Sequence, residues 1–563
     1  MDLPIPPHLR GPQAYTQAEI PPFVQYTSPV PTSTSSIGGP PLPLNLVARI
    51  CFFITAPGDI ARLTRTSRLL YYMCFPQLYQ TVSLHSYAEI RYLNGRPEGF
   101  GSGSPLMMAL NGLVTGTQAA VVQSLRLWGE WQEVGVEDFA KGRVPDNGMM
   151  LNILLRACVD KMPKLQHFAW ELDCKPLKTL YQGLSMNSTL TKLTIRFPKS
   201  RLPRPSVIIP AMPRLNELKV MDIDPLCCPD DISLLLLGSK QLDDLRMHFS
   251  PRMRAEAEPT LNFETFWGRC WSAGYVPKLK HLGMQNWYGA NNAGWTNLVD
   301  MPTLTSGCLL DCFGGATGGS ANVYVDDTWK AIPPRKNGHF RTVRINEFSP
   351  SLVELVATSS GLENVYIVNT TTFSPVNSPA TSTPGTLPTP DLSPSPDALT
   401  LSSIGASYIS ALTQSHGSTL RHILLSDKWP LSSTQLSSLV RLCPDLDQLG
   451  FALGFSETTT VRLLIPFLPK LYAMRILDNE QLRRNDANVT DEERKIAMGR
   501  DMAEIEMSSL RWIGVGDIVY EAKGMLDDPE SPCGMRREIV NVNREKVEGV
   551  EIWGLATGDL MAG

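Results

Sequence analysis

Long apolar runs are missing from this sequence of 563 residues. No stretch approaches the ~20 consecutive apolar residues that a membrane-spanning helix needs. Ile232 to Leu237 has only the length of a core helix, so no membrane partner is expected. The start of the chain lacks a basic segment followed by an apolar one, and no secretory leader is expected. An excess of positive charge is also lacking: 51 basic and 55 acidic residues leave −4, which speaks against nucleic acid as a partner. The eleven cysteines are odd in number and follow no repeated pairing motif, although Cys227 and Cys228 are adjacent and Cys308 and Cys312 lie close. With no leader, the expectation is reduced thiols in the cytoplasm and/or nucleus.

The residue patterns of chemistry are equally sparse. The eight histidines are dispersed, none at zinc-protease spacing, so no metal site is expected. Gly314 to Gly319 has the spacing of a phosphate-binding loop, but Ser320 stands where lysine is required. Gly99, Gly101 and Gly103 read as a flexible loop, because no strand leads into them and the third glycine is misplaced. No Gly-x-Ser-x-Gly elbow occurs there, and Asp326–Asp327 reads as a solvated turn. Catalytic residues and cofactors are therefore expected to be absent, and the chain is not read as an enzyme.

What is present is apolar mass: hydrophobic residues make up 43% of the chain, ample for a packed interior. Its length corresponds to roughly three or four domain equivalents. Residues 1–40 hold nine prolines and read as a disordered leader. A second Pro/Ser/Thr tract, residues 370–399, lies between well-patterned segments and reads as a disordered insertion with Ser-Pro and Thr-Pro pairs. The region around Phe313–Ser320 and the stretch Asn479–Glu504 read as further excursions, the latter with helical character from Asp491.

A pattern of Leu, two residues, an apolar residue, one residue and a further apolar residue recurs ten times. It runs as Leu165/Phe168/Trp170, Leu190/Leu193/Ile195, Leu215/Leu218/Val220, Leu242/Leu245/Met247 and Leu279/Leu282/Met284. It resumes as Leu362/Val365/Ile367, Leu420/Ile423/Leu425, Leu446/Leu449/Phe451, Leu471/Met474/Ile476 and Leu510/Ile513/Val515. The starting leucines are spaced by 25, 25, 27, 37, 83, 58, 26, 25 and 39 residues, and the short intervals fall in the 20–29 window of leucine-rich repeats. Five starts carry a proline two positions earlier: Pro163, Pro213, Pro277, Pro444 and Pro469. Proline there stops a helix and sets up an extended segment. Between them, Leu151–Lys161, Pro229–Gly238, Thr434–Leu442 and Thr459–Phe467 read as helices. The spacing predicts parallel strands joined by helical crossovers, a right-handed α/β leucine-rich-repeat solenoid over 121–555. The asparagine that usually follows such strands is mostly missing, so the repeats are degenerate.

Residues Leu42 to Leu84 carry a second signal: Leu42, Pro43, Leu46, Ile50, Phe53 and Ile54, then Asp59–Ile60, then Leu63 with Ser67–Arg68, then Pro76, Leu78, Tyr79 and Val82. In these residues the sequence resembles a fungal F-box. Asn45 stands where the family usually has glutamate, and the last helix has Tyr71, Tyr72 or Phe75 in place of a tryptophan. Asp59, after the Pro57–Gly58 break, is the expected N-cap of the second helix. The fold class expected overall is α/β: a leucine-rich-repeat solenoid preceded by a small all-α F-box module at 41–86, with a linker at 87–120 and disordered insertions. So small a helical unit carries more apolar residues than one buried face can take, which predicts a partner.

The resemblance implies a substrate-recognition adaptor of an SCF-type cullin–RING ubiquitin ligase. The F-box would dock a Skp-family linker subunit, and through it a cullin, with Leu42, Pro43, Leu46, Ile50, Leu63 and Tyr79 as contacts. Strand alternation points the second, fourth and sixth residues after each starting leucine away from the core. That nominates Glu217, Lys219, Asp244, Arg246, His248, Tyr366, His422, Arg475 and Trp512 as the face that binds a protein substrate. The alternative is a leucine-rich interaction scaffold outside any ligase, whose F-box-like helices serve only as a cap.

Overall fold

The structure, a computed structural model, describes residues 42–93, 95–99, 103–131, 133–201, 207–227, 232–252, 266–287, 299–311, 339–346, 350–368, 396–427, 429–454, 459–479, 482, 490–503 and 509–561. The expected leader, the glycine-rich region with Asp326–Asp327, and residues 370–395 of the expected insertion lie outside them. The chain is mixed α/β, with one large and mostly parallel sheet and helices between its strands. It divides into two compact units, the first ending at Cys74 and the second running from Phe75, a boundary that falls inside the helix Arg68–Tyr79.

In the first unit are the helices α1 (Leu44–Phe52), α2 (Pro57–Thr64) and most of α3 (Arg68–Tyr79). Its buried residues include Cys51, Ile60 and Cys74. Burial together with the adjacent Cys51 raises the Cys74 thiol to about 11. The helix α2 begins at Pro57, whose fixed φ suits the first helical position. Asp59 is thus not the N-cap expected of it. It lies in the first turn and accepts a 2.6 Å hydrogen bond from Arg62.

The second unit is built on strands β1 (Thr81–Ser86), β2 (Tyr92–Leu93), β3 (Arg96–Pro97), β4 (Ser124–Gly129), β5 (His167–Leu172), β6 (Lys192–Arg196), β7 (Glu217–Ile223), β8 (Asp244–Phe249) and β9 (His281–Gln285). It continues with β10 (Ser306–Leu310), β11 (Thr342–Ile345), β12 (Asn364–Ile367), β13 (His422–Leu424), β14 (Pro430–Leu431), β15 (Gln448–Leu453), β16 (Ala473–Ile476), β17 (Trp512–Val515), β18 (Ile518–Asp527) and β19 (Met535–Val542). From β1 through β4 to β13, then β15 to β17, each strand pairs in parallel with the next in the chain, the short β2–β3 hairpin standing aside.

The register is uniform. Leu125, Phe168, Leu193, Leu218, Leu245, Leu282, Gly307, Val343, Val365, Ile423, Leu449, Met474 and Ile513 form one continuous row of paired residues. All ten sequence triplets contribute their second residue to it, and their third residues lie two positions on, inside the strand for Trp170, Val220, Met247 and Phe451 and at or near its end for the others. Most side chains of both rows are buried, together with the helices, in one extended core. The helices pack in succession: Pro105–Thr115 on Asp146–Asp160, that on Lys178–Met186, and later Pro350–Thr358 on Pro396–His416 and on to Ser433–Leu442. The last of these starts with a capping box between Ser432 and Gln435.

Proline acts as the spacing suggests. Met162–Pro163–Lys164–Leu165 is a turn in which the Leu165 N–H donates to the Met162 carbonyl at 3.2 Å, with proline at its favoured second position. The same bond closes at Leu215 on Met212 and at Leu471 on Leu468. It also closes at Leu304 on Met301, around Pro302, which marks a rung between Leu279 and Leu362 that the triplet pattern passes over.

Two expectations are corrected. Residues 87–120 are more than a linker, because the helix Pro105–Thr115 buries Leu106, Met107, Leu110 and Leu113 in the core. Ser104 caps it by accepting from the Met107 N–H. The parallel repeat also stops short of 555. After Val515 the chain turns through Gly516, which has a positive φ of 60°, into antiparallel β18 and β19. These close the ladder's end against the helix Asp491–Asp501.

If the paired rows hold the second unit together, Leu449→Ala should cost about 2–5 kcal/mol in chemical denaturation, because Leu449 is fully buried. Leu463→Ala, on a 70% exposed side chain nearby, should stay within about 0.5 kcal/mol. Equal effects would contradict this packing.

Candidate partner-binding surfaces

On the first unit, the expected linker contacts Leu42, Pro43, Leu46 and Ile50 are exposed. Leu63 is half-buried. Phe52 and Phe53, 74% and 75% exposed, extend the apolar surface at the end of α1. Tyr79 belongs to the second unit, is half-buried, and tilts its ring against Phe75 at 5.1 Å.

On the second unit, alternation turns two rows of side chains away from the core, and the expected substrate residues divide into two groups. Glu217, Lys219, Asp244, Arg246 and His248 are half-buried in a charged strip on β7 and β8. Glu217 pairs with Lys192 at 2.7 Å and with Lys219 at 3.1 Å, and Arg246 pairs with Asp244 at 3.1 Å. His248 lies between Asp222 and Asn286. The strip continues on β4 and β5 with Arg126 paired to Glu171 at 2.6 Å and lying over the Trp128 ring, which stacks on His85.

Tyr366, His422, Arg475 and Trp512 are a different case. Tyr366 is 1% exposed, Arg475 9% and Trp512 7%, and His422 is half-buried. They face away from the main core as expected, but the chain itself covers them. A strap, residues 544–561, crosses this face and forms a second apolar cluster of Val547, Val550, Ile552, Trp553 and Leu560 with Tyr366, Leu424, Ala473 and Trp512. Open availability to a substrate is thus corrected for Tyr366, Arg475 and Trp512. Leu310 and Val368 in the same cluster were not singled out by the sequence, since nothing local marks a contact made some 200 residues away.

Between the strap and β8–β11 lies a cavity of about 740 Å³ lined by Asp244, Arg246, Cys308, Arg344, Arg544 and Glu548 among others. A second, about 290 Å³, lies near the start of the ladder against Tyr87, Arg91, Glu98, Trp131 and Met150. Burial raises the thiol of Cys308 beyond what Arg344 and Arg246 offset, so it favours the protonated form. Among the described residues, no group of three or more His, Cys, Asp or Glu side chains is placed to hold a metal ion. Nor is any helix long and apolar enough to cross a membrane.

Compared with known proteins, the chain matches no protein-family model and no curated sequence.

Burial lowers the imidazole of His422, partly offset by Glu551 and Asp447, and burial lowers that of His167 likewise. A folded-state pKa below the unfolded value of about 6.5 makes protonation favour unfolding. Their contribution is full above that value and is lost as pH falls through it. The unfolding midpoint should therefore drop between pH 8 and 5, and His422→Gln should flatten the drop. An unchanged profile would mean that His422 does not titrate differently on folding.

Proposed function

We propose that this chain is a substrate-recognition adaptor of an SCF-type cullin–RING ubiquitin ligase. Its F-box-like helices dock a Skp-family linker subunit, and its leucine-rich-repeat solenoid holds a protein substrate. The observation that carries the reading is the exposed apolar set on the helical unit: Leu42, Leu46, Ile50, Phe52 and Phe53 are each more than 40% exposed. A large exposed apolar patch is a mark of an interaction surface. The resemblance of Leu42–Leu84 to an F-box gives that surface its partner, and the uniform parallel register of the second unit is what a stacked repeat requires.

In this role the chain carries out no bond chemistry. It raises the local concentration of substrate beside the conjugating enzyme, and the rate gain comes from proximity. The charged strip around Glu217, Lys219, Asp244 and Arg246 suits a polar, mixed-charge protein surface, with Arg126 and Trp128 as candidate anchors since Arg and Trp are frequent hot spots.

The native chain should retain the linker subunit in a pull-down, and Leu46→Ala/Ile50→Ala should weaken retention roughly tenfold or more. The melting transition of the ladder should be unchanged in the variant. A native chain that does not bind the linker contradicts the adaptor reading and leaves a leucine-rich scaffold.

A further inference from the structure

The strap is held in an unusual way for a piece of hydrophobic core. Arg344 donates to three strap carbonyls: Leu555 at 3.0 Å, Thr557 at 2.5 Å and Asp559 at 2.9 Å. Gln285 makes a two-way contact, its amide donating to the Gly558 carbonyl and its side-chain oxygen accepting from the Leu560 N–H. Gln448 accepts from the Ile552 N–H at 3.1 Å, and Arg475 donates to the Ile552 carbonyl at 3.0 Å. Four side chains on separate rungs thus read main-chain groups, the mode by which peptide-binding surfaces gain affinity while pockets for side chains set specificity.

The pockets are present too. In the outward row, Gly283 and Gly514 stand where neighbouring rungs carry Arg246 and Arg475. A Cβ at Gly283 would lie 2.7 Å from Leu560, and one at Gly514 would lie 2.9 Å from Trp553. The glycines therefore make room for two strap side chains seven positions apart. The fit is incomplete, because a half-open cleft of about 740 Å³ remains between the strap and β8–β11. Arg475 Nε is also buried with no hydrogen-bond partner among the described residues.

We propose that the outward face of β9–β17 is a peptide-binding site, and that the strap is its occupant in cis. The ligand class is a segment with one helical turn bearing a tryptophan and a leucine seven residues later, its carbonyls offered to Arg344 and Gln285. A partner carrying such a segment displaces the strap. This deepens the solenoid's role as a protein-binding surface and rests on that reading, but it does not require the linker subunit.

Two measurements on the full chain test it. In Trp553→Ala/Leu560→Ala, which alters the strap and leaves the sheet face intact, a fluorescent peptide of residues 544–561 should bind at least tenfold tighter than to the native chain. Adding Arg344→Gln should remove that gain. In the native chain, hydrogen exchange at Ile552 and Leu560 should be at least a hundredfold faster than in β15 and β16, since the strap opens on its own. Peptide binding no tighter in a folded variant, or strap amides as slow as the strands, overturns the proposal. If the variant does not fold, the exchange measurement decides alone. A native chain that fails to bind the linker, with the peptide result as expected, would sink the ligase reading and leave this site standing.

Discussion

Each rung of the second unit is a short strand and, in most repeats, a short helix, with one apolar face and nothing of its own to cover it. Burial comes only from neighbours, so the paired residues must meet in the same register on every rung. Slipping one strand by a single residue would turn its core side chains outward and its charges inward. The continuous row from Leu125 to Ile513 satisfies this constraint. The other features follow from it. The opposite side chains form a second continuous surface, and the far end needs the antiparallel β18 and β19 to close what would otherwise be an open edge.

That second surface is divided by chemistry. Over β4–β8 it is a lattice of ion pairs such as Lys192–Glu217 and Arg246–Asp244, open enough for charge recognition. Over β9–β17 it mixes apolar groups such as Leu424 and Ala473 with Gln285, Arg344, Gln448 and Arg475, has glycines at 283, 450 and 514, and carries residues 544–561 upon it. One sheet face thus has two chemically distinct parts, and the helical unit adds the exposed apolar set at Leu42–Phe53. On the proposed reading, linker and substrate are engaged by separate units of one chain.

Much of the ladder was legible because its signal is local. Every triplet read from the sequence places its second residue in the paired row, and the proline preface at Pro163, Pro213 and Pro469 forms the turn that its φ restriction favours. The rungs passed over broke the letter of the pattern and kept its physics. Before β4, Val122 takes the place of the starting leucine, before β11 Phe340 does, and β10 has Gly307 where an apolar residue was required. Alternation correctly turned Tyr366, Arg475 and Trp512 away from the main core. It could not reveal that the strap returns to cover them, because Arg344 and Leu555 meet across 211 residues with no local pattern to announce it. The helix Pro105–Thr115 follows a glycine-rich approach and belongs to no triplet, so no local pattern marks it in the sequence.

The register of the parallel strands is the claim on which both surfaces depend, and a distance across several rungs measures it most directly. Arg126 and Arg246 share one outward row, four rungs apart through Ala169, Thr194 and Lys219. Spin labels at these two positions should give a single narrow distance near 19 Å, four strand spacings of about 4.8 Å, in pulsed electron resonance. A separation beyond about 30 Å, or a broad distribution, would contradict the stacked ladder and both surfaces built on it.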